Sequence, residues 1–193
     1  MNRICIALLL AALPPLACAQ GFNYTFLEGG YQWFDFDTPG NVEGDGFVIS
    51  GSLALTPSFF LLGGYEDGEL DDFDVDIDSW RVGLGFHSPI SEIIDLVVTG
   101  AVLNQEIGFS ASGSNDDDAF DIGLGLRANL TDTLELNAGL NYVDYDDAGD
   151  DNVVSASLLI DIPDDFVVRL GGSWSDDTER TQYSVSGRLY LGN

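Results

Sequence analysis

Residues 65–78, YEDGELDDFDVDID, place eight carboxylates in fourteen positions with no base among them. Alternating acids are what a calcium loop uses. Asp72, Asp74 and Asp76 would fill ligand positions 1, 3 and 5 of an EF-hand. That loop needs Gly at position 6 and a bidentate Glu at position 12, but Ile77 and Gly83 stand there. The register excludes an EF-hand. The remaining metal chemistry is weak, multidentate binding of Ca2+ or Mg2+ by loop acids. The candidates are Asp72, Asp74, Asp76 and Asp78, then Asp116, Asp117 and Asp118, then Asp146 and Asp147. No other cofactor is expected.

Catalytic constellations are missing from the sequence. The one histidine, His87, has no serine motif or second histidine to work with, and neither zinc spacing nor a phosphate-cradling loop occurs. His87 is expected to be a satisfied interior residue and the protein not to be an enzyme. Both cysteines, Cys5 and Cys18, lie in the first nineteen residues. There Arg3, the apolar run Ile4–Leu13 and the small residues Ala17-Cys18-Ala19 form a cleavable export signal. Residues 20–193 then make one domain, exported and without disulfides.

That domain sets 33 acidic residues against five arginines, Arg81, Arg127, Arg169, Arg180 and Arg188, with no lysine. Nucleic acid is excluded as a partner, because affinity there needs cations on the phosphates. Disorder, the usual outcome for such charge, is excluded by apolar residues that recur with period two. In LELNAGLNY, Leu134, Leu136, Ala138, Leu140 and Tyr142 alternate with polar residues and glycine, and WRVGLGFH and FDIGLGLRAN repeat the pattern. These are strands with one apolar and one polar face.

About ten strands are expected, at 22–36, 45–55, 58–66, 78–88, 94–107, 119–130, 134–144, 152–161, 166–174 and 182–191, with eight as the other closure. Short connections (TPS, SPIS, TDT, IPDD) alternate with longer acidic ones at 37–44, 67–77, 108–118, 145–151 and 175–181. This is the plan of an antiparallel up-and-down transmembrane β-barrel. On the apolar face Tyr31, Trp33, Phe47, Tyr65, Trp80, Phe120, Tyr142, Trp174 and Tyr183 fall near the long-loop ends. Phe59, Phe86 and Phe166 fall near the turns. Two aromatic belts around an aliphatic band predict anchoring at both membrane interfaces.

The segments YTFLEGGY (Tyr24–Tyr31), GGY (Gly63–Tyr65) and DIDSWRVGLGF (Asp76–Phe86) resemble a family of small acidic outer-membrane barrels of Gram-negative bacteria. That family was once named for supposed activation of a rice immune receptor. The resemblance runs over essentially the whole exported chain. It implies an outer-membrane barrel without a settled biochemical activity.

Parity points Glu28, Arg81, Asp121, Arg127, Glu135, Arg169 and Arg188 into the lumen, where charges need partners. Of the 33 carboxylates, 25 fall in and beside the long connections, over Asp35–Asp45, Glu66–Asp78, Glu106–Asp121, Asp144–Asp151 and Asp176–Glu179, giving an anionic crown among outer-membrane lipid and lipopolysaccharide. In the segment that opens this section, Phe73, Val75 and Ile77 are odd while Trp80, Val82 and Leu84 are even. Without a bulge, Asp74, Asp76 and Asp78 share the outward face with Trp80; a bulge near Ser79 would turn them inward. Three functions are compatible with all this. One is a monomeric surface-interaction barrel with weak cation binding at its rim and an unidentified outside partner. The others are a small cation-preferring pore and a secreted soluble acidic β-protein.

Overall fold

A computed structural model describes residues 22–37, 42–70, 75–109, 113–162 and 166–191. The export signal, Asp72 and Asp74 lie outside these residues. Ten strands close into one antiparallel barrel. They are β1 Phe26–Phe36, β2 Val42–Ala54, β3 Phe59–Leu70, β4 Val75–Ser91 and β5 Ile94–Phe109, followed by β6 Gly113–Thr131, β7 Leu134–Tyr145, β8 Gly149–Ile162, β9 Phe166–Ser175 and β10 Arg180–Tyr190. Each strand pairs with the next, and β10 returns to β1 through Tyr190 opposite Phe26 and Arg180 opposite Phe36. Closure leaves no free sheet edge, which a strand-built protein needs inside lipid.

The apolar face points outward. Val82, Leu84, Val102, Ile122, Leu124 and Leu140 are each about half exposed, while the buried set includes Glu28, Asp95, Asp121, Arg127 and Arg188. This inverts a soluble sandwich and removes the secreted soluble reading. The upper belt is present on the outside in Trp33, Phe47, Tyr65, Trp80, Phe120, Tyr142, Trp174 and Tyr183, with Phe59 and Phe166 below. Tyr31 is half-buried because Trp33 and Phe47 pack edge-on against its ring at 5.1 and 4.9 Å.

Several element bounds differ from the expectation. The acidic segments taken as loops are largely strand: β3 continues through Leu70, β4 starts at Val75 and β6 at Gly113. Aspartate is usually depleted in strands, but here the hairpin register propagates upward from the membrane band and carries the acids with it. The β3–β4 register is unbroken from Leu70 opposite Val75 to Phe59 opposite Phe86. No bulge occurs near Ser79, so Asp76 and Asp78 share the face of Trp80. The register shifts lie instead at Pro89/Ser91 and Asn129/Thr131, toward the short turns. At the other margin β1 begins at Phe26 rather than residue 22.

Above the upper belt the two faces exchange character without any slip in parity. Outward positions become Asp67, Glu69, Asp76, Glu106 and Asp116, whereas the inward ones become Leu70, Val75, Ile77 and Ile107. The strands therefore leave the bilayer as an ordinary water-soluble β-wall, and the exchange marks the membrane surface. Phe34, 3% exposed, fills the lumen at that height. Its ring lies across the backbone of Gly44, where an added Cβ would come within 2.5 Å of Cε2, so only glycine fits there.

Candidate functional site: the charged lumen and the acidic outer face

The lumen is organised in three tiers. At the short-turn end, Phe22–Thr25 precede β1 and enter the barrel mouth. Tyr24 is 5% exposed. Its ring stacks on His87 at 3.9 Å and on Phe60 at 4.7 Å, and its hydroxyl donates to Asp95 Oδ2 at 3.1 Å. His87 Nδ1 meets the same oxygen at 2.9 Å. Arg127 completes this floor. It makes a two-pronged pair with Glu135 at 2.8 and 2.9 Å and lies under the rings of Phe22 and Tyr24 at 4.8 and 4.5 Å. Its Nη1 donates to the Asn23 carbonyl at 3.2 Å.

Above the floor stand two Arg–carboxylate pairs, built alike but at different heights. Arg81 on β4 reaches Asp121 on β6 at 3.5 Å, and Arg169 on β9 reaches Glu28 on β1 at 3.4 Å. In a ring of ten, β4 and β9 are five strands apart, as are β6 and β1. The register is also the same. Arg81 lies level with Ala119 through Leu103, two residues above Asp121. Arg169 lies level with Gly30 through Ser186, two residues above Glu28. The same local pairing thus occurs on opposite sides of the ring, with Arg169–Glu28 lying nearer the short-turn end than Arg81–Asp121. Arg188 adds a second guanidinium to Glu28 at 2.7 Å, and Asn141 donates to Asp121 at 2.7 Å.

The upper tier joins Arg180, Glu66, Gln32 and Gln182. Arg180 donates to Gln182 at 2.7 Å, lies 3.9 Å from Glu66 and covers the Phe34 ring at 4.8 Å. Gln182 donates to Gln32 at 2.6 Å. Between floor and upper tier runs a cavity of about 560 Å³, lined by all five arginines but only three carboxylates, Glu28, Glu66 and Asp121.

All seven residues expected inside from parity face the lumen, paired as described. Sequence reasoning missed Arg180 and Glu66, because it placed both beside loops that are strand. It missed the floor for another reason: Asp95 is inward by the parity of Ile94 and Leu96, but nothing local shows Tyr24 folding back over it.

On the outside the acids stand in rows. Asp67, Asp78, Glu106 and Asp116 are direct partners across β3, β4, β5 and β6, and Asp45, Glu69 and Asp76 are partners across β2, β3 and β4. Tyr65 donates to Asp78 Oδ1 at 2.5 Å, and Asn104 donates to Asp118 at 3.0 Å. Asp117 points the other way, and its two oxygens accept the amides of Asp147 and Ala148 at 3.1 and 2.9 Å. It holds the β7–β8 turn that contains Asp146 and Asp147. Asp151 does the same for the next loop, accepting from Ser175, from Thr178 Oγ1 at 3.2 Å and from the Asp177 amide at 3.1 Å. Local desolvation, then the charges of Asp150, Asp176 and Asp151, push the Asp177 carboxyl above the ordinary range. Among the described residues, no group of three or more acids or histidines converges around a metal-sized point.

A closed ten-stranded wall, apolar outside and charged inside, defines an outer-membrane β-barrel. Residues 4–189 match the outer membrane protein beta-barrel domain family, and the chain belongs to it. The protein accordingly resides in the outer membrane. Its fold is similar to an outer-membrane channel from Pseudomonas putida F1, with TM-score 0.55, 9% identity, and coverage of 89% of this chain and 96% of that one. It is also similar to the KdgM porin in complex with disordered oligogalacturonate, with TM-score 0.50, 8% identity, and coverage of 87% and 100%. No curated protein matches the chain by sequence.

Proposed function

We propose that this barrel is a non-enzymatic, monomeric surface protein whose acidic outer face meets lipopolysaccharide through shared divalent cations. The carboxylate row Asp67–Asp78–Glu106–Asp116 carries the reading. Like charges directly opposite one another destabilise a sheet, yet here four strands hold them in register, facing away from the barrel. They stand just above Tyr65 and Trp80, at headgroup height. Lipopolysaccharide phosphates at that height are also anionic, so Ca2+ or Mg2+ shared between the two relieves both repulsions. The site is diffuse, with a weak ion held jointly by protein and lipid. The likeness to the family of small acidic barrels supports the same reading, since acidity is common to both.

The test compares refolded protein in vesicles with and without lipopolysaccharide, with and without millimolar Ca2+. Calcium should raise the thermal midpoint mainly in the lipopolysaccharide vesicles, and the variant D67N/D78N/E106Q/D116N should lose that gain. An equal calcium response in wild type and variant sinks the reading.

A second reading, a narrow pore, is favoured by the cavity between floor and upper tier. Ten strands filled by side chains leave little bore, so its conductance would be small. Planar-bilayer recording of the refolded barrel decides it: reproducible small steps support a pore, and a silent bilayer with verified folded protein leaves a plugged barrel.

A further inference from the structure

Between its charged floor and its charged upper end, the lumen wall changes character. On β6 the inward residues run Arg127, Gly125, Gly123, Asp121, and on β4 they run His87, Gly85, Gly83, Arg81. On β10 they run Arg188, Ser186, Ser184, Gln182. A belt of small residues thus separates two charged levels. Within it, four hydroxyl residues each stand directly opposite an inward glycine: Ser50 opposite Gly64, Thr99 opposite Gly123, Ser155 opposite Gly139 and Ser184 opposite Gly171. The four pairs lie on β2–β3, β5–β6, β7–β8 and β9–β10, so they surround the lumen. Three of the hydroxyls lean over their bare partners. A Cβ added to Gly171 would come 2.7 Å from Ser184 Oγ, one on Gly139 would come 3.2 Å from Ser155 Oγ, and one on Gly123 would overlap Thr99 Oγ1. Side chains lying flat on the wall leave the centre open, which is why about 560 Å³ remains.

The same chamber has no spare charge. Arg127 pairs with Glu135, Arg81 with Asp121, Arg169 and Arg188 with Glu28, and Arg180 with Glu66. Tyr24 and His87 take Asp95. What the wall offers is uncharged. Among the described residues, no protein group bonds the hydroxyls of Ser50, Thr99, Ser155 and Ser184, all of which line the cavity. Asn137, on the same wall, has its Oδ1 without a donor.

We propose that this belt binds a small neutral polyhydroxylated solute, a sugar or a polyol. A Ser or Thr hydroxyl both donates and accepts, and so does each hydroxyl of such a solute. An ion would find its countercharges already taken. The volume is of the order that holds a small-molecule ligand. The Tyr24 floor encloses the solute from below. Above it, between Phe34, Ile77 and Arg180, the free space narrows to about 10 Å³, room for about one water. The solute enters past Arg180, whose contact with Glu66 is long at 3.9 Å. The site goes beyond the lipopolysaccharide reading and does not depend on it, nor does it need a conducting lumen.

The experiment titrates glucose and glycerol into the refolded, isotope-labelled barrel in detergent and follows its amide NMR shifts, with phosphate, acetate and chloride as charged controls. Heat-modifiable gel mobility verifies that each variant is folded. Glucose or glycerol should move the amides of Thr99, Gly123, Ser155 and Ser184 saturably and leave those of the outer acidic rows in place. The variant S50A/T99V/S155A/S184A, which keeps the shape of the wall, should weaken that response about tenfold or more, the scale of a few lost hydrogen bonds. Ser155→Leu, which projects into the chamber, should abolish it. No response, one that never saturates, one equalled by the charged controls, or one that survives in the folded quadruple variant overturns the proposal.

Discussion

The ring of Tyr24 lies flat on His87, 3.9 Å away, and so places a residue from outside the strands across the short-turn mouth of the barrel. Both side chains converge on Asp95 Oδ2, and the Arg127 guanidinium lies over the Tyr24 ring at 4.5 Å. The contact joins the segment before β1 to β4, β5 and β6. It is why the charged cavity has a floor.

Removing that floor should open the lumen. Tyr24→Ala is expected to raise the conductance of the refolded barrel in planar bilayers and to lower its stability by about 2–4 kcal/mol, the scale for losing a buried aromatic side chain. Tyr24→Phe keeps the stacking and gives up only the hydroxyl bond to Asp95, at about 1 kcal/mol. Its conductance should match that of wild type. Equal conductance in Tyr24→Ala and wild type would place the constriction elsewhere.

Arg127 and Glu135 form the best-made ion pair of the lumen. Taking away the guanidinium leaves a carboxylate enclosed without its partner. Arg127→Ala should therefore destabilise by about 3–5 kcal/mol, read by urea unfolding in lipid vesicles. The double change Arg127→Met with Glu135→Leu should recover most of the loss, because it removes the unpaired charge as well.

Phe34 needs the bare backbone of Gly44 beside it. Gly44→Val forces the ring out of the upper lumen, and overpacking of this kind costs about 1–3 kcal/mol. Amide exchange should quicken at the upper ends of β1, β2 and β3 while the membrane band stays protected. Unchanged protection at those ends would contradict the packing.

The β9–β10 loop should loosen as pH rises. Asp177 has its pKa raised by local desolvation and then by Asp150, Asp176 and Asp151, so the native loop holds the proton more tightly than the unfolded chain. Its contribution is full below the unfolded value and is lost as pH climbs through the raised folded value. Exchange of the amides at 176–179, corrected for intrinsic rate, should increase over that interval in wild type. Asp177→Asn should flatten the dependence.

Much of the barrel was legible because one physical rule, period-two alternation, covers every membrane-embedded strand. Lipid rewards an apolar outer face at every second residue, so Leu134–Tyr142 or Trp80–Phe86 announce both a strand and its facing. The same parity placed Glu28, Arg81, Asp121, Arg127, Glu135, Arg169 and Arg188 inside without any knowledge of their partners. It became ambiguous where lipid ends. There the apolar and polar faces exchange roles, and an acid-rich strand such as Asp67–Leu70 or Asp116–Asp118 looks like a loop. Arg180 and Glu66 were lost to that ambiguity.

The sequence by itself determined the transmembrane barrel, the aromatic belts and the inward set of charges, since each follows from local composition and spacing along a strand. The tertiary structure alone decided how the ring closes. Only the closed ring puts β4 opposite β9, brings Arg169 to Glu28 past β10, and aligns Asp67, Asp78, Glu106 and Asp116 from four strands into one row. Those relations depend on strand number and stagger around a closed sheet. They are properties of the whole circuit, and no window of sequence contains them.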